Sequence, residues 1–410
     1  MPQPVVENIR RGIEELRGRI LDDYLKILSV PAVNPSMGGE GEYRRAELIE
    51  TLLKNNYGLD VERFDAEDER VKEGLRPNIV SIIEGEEKRR LWIVAHLDTV
   101  PEGDRSLWET DPFKPILKDG KIIARGAEDN GQGVISAILA AALFKHLKIK
   151  PKLTLGVALV SDEEAGSDYG INHLIKQGVF REKDLVIVPD YGDPEGKTIE
   201  IAEKSILWLK IKTRGVQTHA STPHKGLNAH RVGMRFATEL DAALHEKYSA
   251  YDQLFDPPTS TFEPTKKEAN IENVNTIPGT DVLYFDCRIL PQYHLDEVLE
   301  TVRRAADSYG RLYGAGIEVE EAMRFDAPPP TSPDSEVVRR LRKALKLSRG
   351  VEAEVKGIGG GTCAAHFRRA GLEAAVWSTI DLTAHQPNEY CWVENILKDA
   401  EVFALAAMLE

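Results

Sequence analysis

The stretch Leu91-Trp92-Ile93-Val94-Ala95-His96-Leu97-Asp98-Thr99-Val100-Pro101 sets the fold class of this chain. Five apolar residues in succession, β-branched and aromatic side chains among them, spell a strand buried on both faces, as in a parallel sheet. The run ends in a histidine and an aspartate two positions apart, before a proline that cannot extend a hydrogen-bonded ladder. Open α/β sheets hold their ligands beyond the carboxyl ends of the strands, so His96 and Asp98 arrive where chemistry is done.

Outward from this strand the pattern repeats. Upstream, Ile9, Ile13, Leu16 and Ile20 are spaced for one helix face, helical spacing returns over 43–56, and 78–84 reads as a strand. Downstream, the turn 126–131 leads into an Ala-rich helix over about 133–146. Residues 153–161 form a buried strand ending in Asp162-Glu163-Glu164, and 185–189 form another ending in Asp190. Strand alternating with helix predicts an α/β fold with a doubly wound, mainly parallel sheet.

Near Glu203 the period changes. Residues 205–213 alternate as a half-buried strand, followed by a helix over about 228–248. Strands near 271–276 and 281–289, a helix at 295–309 and a strand at 316–321 follow. This β-α-β-β-α-β order is ferredoxin-like. The expected organisation is a discontinuous catalytic domain, 1–203 and 323–410, with an α+β domain inserted at 204–322. The edge strands of such a sheet can pair with a second copy, so a homodimer through the inserted domain is expected.

Hydrophobic residues make up 42% of the 410, enough for a fully folded protein of two domains. A net charge of −14 disfavours nucleic acid and anionic membrane as partners, since both need a basic face. It leaves room for a small anionic substrate beside a cation. The three cysteines, Cys287, Cys363 and Cys391, form no CxxC pair and fit a reducing cytoplasm. The longest apolar run, 134–144, is too short to span a bilayer.

Four strand ends thus carry ligand-type residues: His96 with Asp98, Asp129, Glu163 with Glu164, and Asp190. A fifth site, Ala384-His385-Gln386-Pro387-Asn388-Glu389, follows the strand at 374–378. One acid at a strand end is commonly a helix cap or a solvated turn. Five in chain order make a constellation. Imidazole and carboxylate without thiolate suit zinc, cobalt or manganese, and two histidines with three acids can hold two ions if one acid, Asp129, bridges. Asp98 then suits the role of orienting His96. Adjacent Glu163 and Glu164 point in opposite directions, so one can ligate while the other faces the attacking water.

These segments resemble one family. His96-Leu-Asp98-Thr-Val-Pro101, Arg125-Gly-Ala-Glu-Asp129, Asp162-Glu163-Glu164-Ala-Gly166, Gly359-Gly360-Gly361-Thr362 and His385-Gln-Pro-Asn-Glu389 are similar to the motifs of dinuclear zinc hydrolases. That family includes aminoacylase, glutamate carboxypeptidase, acetylornithine deacetylase and succinyl-diaminopimelate desuccinylase. The resemblance implies His96, Asp129 and Asp190 on one ion, Asp129, Glu164 and His385 on the other, Glu163 as general base and Asp98 orienting His96. It also implies that His219 is a lid histidine reaching the neighbouring subunit's site to stabilise an oxyanion. Asn275 and Arg288 resemble groups that hold a substrate carboxylate, a task suited to the bidentate arginine fork. Gly360 lines up with the glycine loop beside the substrate.

The chain departs from the family pattern in three places: Gly131-Gln132 after the bridging aspartate, Cys363 where many relatives carry aspartate or serine, and Asp190 where desuccinylases and deacetylases carry glutamate. The implied activity is hydrolysis of an amide bond in a dipeptide or N-acyl amino acid bearing a free carboxylate. The alternatives are a desuccinylase or deacetylase-like deacylase, or a lapsed relative that binds ions and ligand without turnover.

Overall fold

The computed structural model describes residues 3–410. Strand Glu87–His96 lies in an eight-stranded sheet ordered Glu62–Arg63, Ile79–Ile83, Leu153–Val160, Glu87–His96, Leu185–Asp193, Glu373–Thr379, Thr198–Glu203, Glu354–Ile358. The four strands from Leu153–Val160 to Glu373–Thr379 run parallel. Ile79–Ile83 pairs antiparallel on one side of them and Thr198–Glu203 on the other. The sheet is therefore parallel where the site is built and antiparallel towards its margins.

Register does the positioning. His96 lies level with Val160, so the turn carrying Glu163 and Glu164 follows at the same sheet edge. Ile93 pairs with Ile187, and three residues on from that pair come His96 and Asp190. Alternate side chains of the Glu87–His96 strand feed two cores. Trp92 and Val94 pack with Ile171, Leu174 and Phe367, from helices Ile171–Lys176 and Ala364–Arg369. Leu91, Ile93 and Ala95 face the other way, where helices Gly133–Leu147 and Val393–Met408 pack. Helix Gly133–Leu147 is buried continuously from Gly133 to Phe144, as its all-round apolar sequence requires. Each large apolar side chain so buried contributes about 1.5–3 kcal/mol. Gly156 admits the Trp92 ring: a Cβ there would stand 2.4 Å from it.

The chain divides into two compact units. One comprises the chain up to Ile201, Thr331–Val355 and Cys363–Glu410; the other comprises Ala202–Pro330 with Lys356–Thr362. The second unit is a four-stranded antiparallel sheet ordered Thr261–Lys267, Thr280–Ile289, Ser205–Arg214, Gly316–Phe325. Leu207, Leu209 and Ile211 pack against Phe236 and Leu240 of helix Ala229–Lys247 and Val298 and Val302 of helix Leu295–Tyr313.

One strand differs from expectation. The strand expected near 271–276 lies instead at Thr261–Lys267, where Phe262 alone is buried and Pro264 sits in an outer strand. Residues Thr276–Ile277 pair with Thr218–His219 in a small ribbon. Among the described residues no helix is long and apolar enough to cross a membrane.

Candidate metal centre

Strand ends and turns of the first unit bring together two groups of side chains that share Asp129. His96, Asp129 and Asp190 form one, and Asp129, Glu164 and His385 the other. Nε2 of His96 lies 2.9 Å from Asp129 Oδ1 and 3.4 Å from Asp190 Oδ1. Nε2 of His385 lies 3.0 Å from the other oxygen, Asp129 Oδ2, and 3.3 Å from Glu164 Oε2. Asp129 thus sits between the two histidines with one oxygen turned to each. Oε1 of Glu164 is buried with no hydrogen-bond partner, an unmet acceptor on the carboxylate whose Oε2 faces His385. The donor set and this orphaned oxygen fit a pair of divalent cations.

Local structure aims each group. The peptide between Asp129 and Asn130 is cis. Asn130 Nδ2 donates to Pro189 O at 2.6 Å and to Asp190 Oδ1 at 2.8 Å, locking Asp190 to the Asp129 turn. Gly133 permits this approach, since a Cβ there would lie 2.5 Å from Asn130 Oδ1 and 2.7 Å from Pro189. Asp162 adopts a left-handed φ of 67°, which swings Glu163 and Glu164 off the strand into a turn. Arg76 braces that turn from below, fully buried and paired with Glu42, with Asp68 at 3.3 Å and with Asp162 at 3.4 Å.

Asp98 does more than the sequence suggests. His96 Nδ1 lies closest to the Asp98 main-chain carbonyl, at 3.0 Å, with the carboxylate Oδ1 at 3.5 Å. The carboxylate accepts the backbone N–H of Glu163 and Glu164 and the Asn34 side-chain amide. Glu163 Oε2 stands 3.9 Å from His96 Nε2. The Cys363 thiol joins Glu163 and Asp190 in a third group whose ligand atoms all lie within 4.8 Å of one another.

The electrostatics follow from crowding acids into a buried site. Burial, then repulsion from Asp190, pushes the Glu163 carboxyl well above its ordinary value. Burial opposes the charge on His96, but hydrogen bonds to Asp129, Asp190 and Asp98 outweigh it and hold the imidazole protonated well above its usual range. Hydrogen bonds to Asp129 and Glu164 raise His385 to about 10. Burial opposes the Asp129 charge, yet the two histidines hold that carboxylate below its ordinary value. In the ion-free chain, protonated imidazoles supply the positive charge that this acidic site demands.

The remaining site residues expected from sequence lie in the second unit. His219 is exposed, and its Nδ1 accepts the backbone N–H of Ser221 at 3.1 Å. Asn275 is exposed beside it, its carbonyl accepting the N–H of Ala220 at 2.8 Å. The Arg288 guanidinium is held by Asp286, Nε at 2.6 Å and Nη2 at 2.9 Å, and its Nη1 donates to Gly359 O at 3.0 Å. A Cβ on Gly360 would meet nothing within 4 Å. Ser221 and Asp286, with Asn34, Glu42, Arg76, Glu128, Asn130 and Glu389 in the first unit, went unremarked as site residues in the sequence reading.

A family profile described as peptidase family M20/M25/M40 matches residues 92–409. The chain belongs to that family. An uncharacterised metallohydrolase of Methanocaldococcus jannaschii is 42% identical over 392 residues, covering 92% of this chain and 96% of its own. A succinyl-diaminopimelate desuccinylase of a Sulfurovum species is 27% identical over 390 residues, covering 94% and 97%. The M20-type fold recurs in the aminopeptidase PepT of Bacillus cereus, with a TM-score of 0.74, 18% identity and coverage of 96% and 98%. Membership makes the chain a metallohydrolase, a family that implies divalent ions, and the acid-rich cluster offers groups of the kind that hold them.

Proposed function

We propose that this M20 member hydrolyses an amide bond in a dipeptide or N-acyl amino acid carrying a free carboxylate. The observation that carries it is Asp129 with one oxygen turned to His96 and the other to His385, as a bridging ligand requires. His96, Asp129 and Asp190 would hold one ion, and Asp129, Glu164 and His385 the other, with zinc, cobalt or manganese the fitting metals. Bound divalent ions acidify water towards neutral pKa and polarise a carbonyl.

Glu163 ligates neither ion in this scheme and stands 3.9 Å from His96 Nε2 at the edge of the ligand cluster, so it suits proton transfer. It takes the proton of the attacking water and returns it to the leaving nitrogen. Because the backbone N–H of Ser221 donates to Nδ1 of His219, the imidazole is left to donate from Nε2, in this reading to an oxyanion developing in the neighbouring subunit's site. Arg288, oriented by Asp286 beside the glycine segment, together with Asn275 would receive the substrate carboxylate. Gly360 offers open space for substrate. The reading includes a homodimer through the edge strands of the second unit.

A second reading, a desuccinylase-type deacylase, is favoured by the name of the Sulfurovum relative. Asp190 in place of glutamate favours the first. Side-by-side assay of the zinc-, cobalt- and manganese-loaded protein on dipeptides, N-acetyl amino acids and N-succinyl-diaminopimelate separates the two. Turnover confined to the succinylated substrate would overturn the first reading. No turnover of any of them would leave the chain an ion- and ligand-binding relative.

A further inference from the structure

Two carboxylates beside the cluster ligate nothing in the scheme above, yet both are buried. Glu128 immediately precedes Asp129, and Glu389 lies four residues beyond His385. The Glu128 carboxylate accepts the backbone N–H of Asp381 at 2.7 Å, of Thr383, and of Ala384 at 3.2 Å, and the Thr383 hydroxyl at 3.1 Å. Every one of these donors belongs to the loop that carries His385. Glu389 does the converse. It accepts the backbone N–H of Gly126, Glu128 and Asp129, each at 2.9 Å, and the Arg125 guanidinium at 2.7 Å. Every one of these donors belongs to the turn that carries Asp129.

We propose that Glu128 and Glu389 are reciprocal positioning residues that fix the Asp129–His385 pair and so set affinity for the second ion. The proposal rests on the two-ion reading given above. The argument is one of backbone accounting. Three N–H groups converging on one carboxylate fold the segment around an anion and leave it no other partners of that strength. The His385 loop needs such restraint. Leu382, His385 and Asn388 hold left-handed φ values of 60°, 62° and 59°, which side-chain-bearing residues persist in only where their surroundings impose it.

The first ion's other ligands are secured differently. His96 and Asp190 sit on strands held by the sheet ladder, and Asn130 ties Asp190 to the turn. Loss of the Glu128 contacts therefore falls on the second ion, whereas loss of the Glu389 contacts also loosens Asp129, which the two ions share. Glu→Gln preserves size but replaces an acceptor oxygen with an amide that faces N–H donors, whereas Glu→Asp keeps the acceptors.

The test uses the full chain, stripped of ions and titrated with zinc or cobalt, reading stoichiometry by elemental analysis, affinities by chelator competition and ligand geometry from cobalt absorption. Wild type is expected to take up two ions. Glu128→Gln is expected to keep the first near its wild-type affinity and to bind the second about 10–100-fold more weakly, with Glu128→Asp recovering part of the loss, whereas Glu389→Gln, which frees the shared Asp129, is expected to weaken both. Glu389 also pairs with buried Arg125, so Glu389→Gln risks unfolding. Glu128→Gln, whose partners are loop groups, carries the test alone. A folded Glu128→Gln with two ions at wild-type affinities, or with both weakened alike, overturns the clamp and leaves the two-ion reading standing. A wild type that binds fewer than two ions overturns both.

Discussion

The carboxylate of Asp98 accepts the backbone N–H of Glu163 at 3.0 Å, tying the end of the histidine-bearing strand to the turn that presents the proposed base. Its other oxygen takes Glu164 N at 3.2 Å and Asn34 Nδ2 at 2.7 Å. A single aspartate thereby sets the orientation of groups proposed to act on both ions.

Replacing it should disturb both functions at once. Asp98→Ala leaves two backbone donors unmet and is expected to lower ion affinity and turnover, each by about 10–100-fold. Ion titration beside kcat and KM measures this. Wild-type values for all of them would show that the turn holds itself.

Glu163 is separable from ion binding in the proposed scheme. Glu163→Gln is expected to retain its ions and lose about 10²–10⁴-fold in kcat, the usual worth of a general acid–base group. Elemental analysis with single-turnover assays decides it. Full activity in this variant would move the proton-transfer role elsewhere.

Ion uptake should depend on pH through the histidines. In the ion-free chain His385 stays protonated to about 10, against an ordinary 6.5. Its pairs with Asp129 and Glu164 therefore stabilise that chain fully below about 6.5, and the benefit is lost as pH rises through about 10. Ion binding runs the opposite way, because a cation takes only neutral imidazole. Affinity is expected to climb across this window, about tenfold per pH unit for each proton displaced. Calorimetry in buffers of different ionisation enthalpy counts those protons. A flat affinity profile would contradict the assignment of His385.

Gly156→Ala probes the sheet behind the site. The added methyl would overlap the Trp92 ring, itself pinned by its indole N–H to Asp184 at 2.7 Å and packed edge-on against Phe180. A loss of about 1–3 kcal/mol in unfolding free energy is expected by chemical denaturation of the ion-free chain. No change would mean that the indole has room to move.

The ligand-bearing strand ends were legible because apolar runs such as 91–95 and 153–160 stop abruptly in imidazole or carboxylate. Their convergence follows from parallel register. What lay hidden has no local signature. Glu128 and Glu389 stand inside quoted motifs with no role of their own until the fold turns each carboxylate onto the backbone of the other's loop. Arg76 and Glu42 meet only after a helix and a turn intervene. The strand at Thr261–Lys267 escaped notice because its sequence is polar but for Phe262. Ile271 and Val274 imitated a strand, yet Val274 is fully exposed. Two apolar residues three positions apart are too few to fix a period.

His385 and Glu389 come from a segment made long after the strand that bears His96. Domains fold from the N-terminal side as synthesis proceeds, at about 5–20 residues per second. The sheet's own strand Glu373–Thr379 precedes His385 by only a few residues, so the sheet and the pocket at its edge are completed by the same late-made segment. In the proposed scheme that late segment also brings the second ion's histidine, which places ion loading at the close of biogenesis.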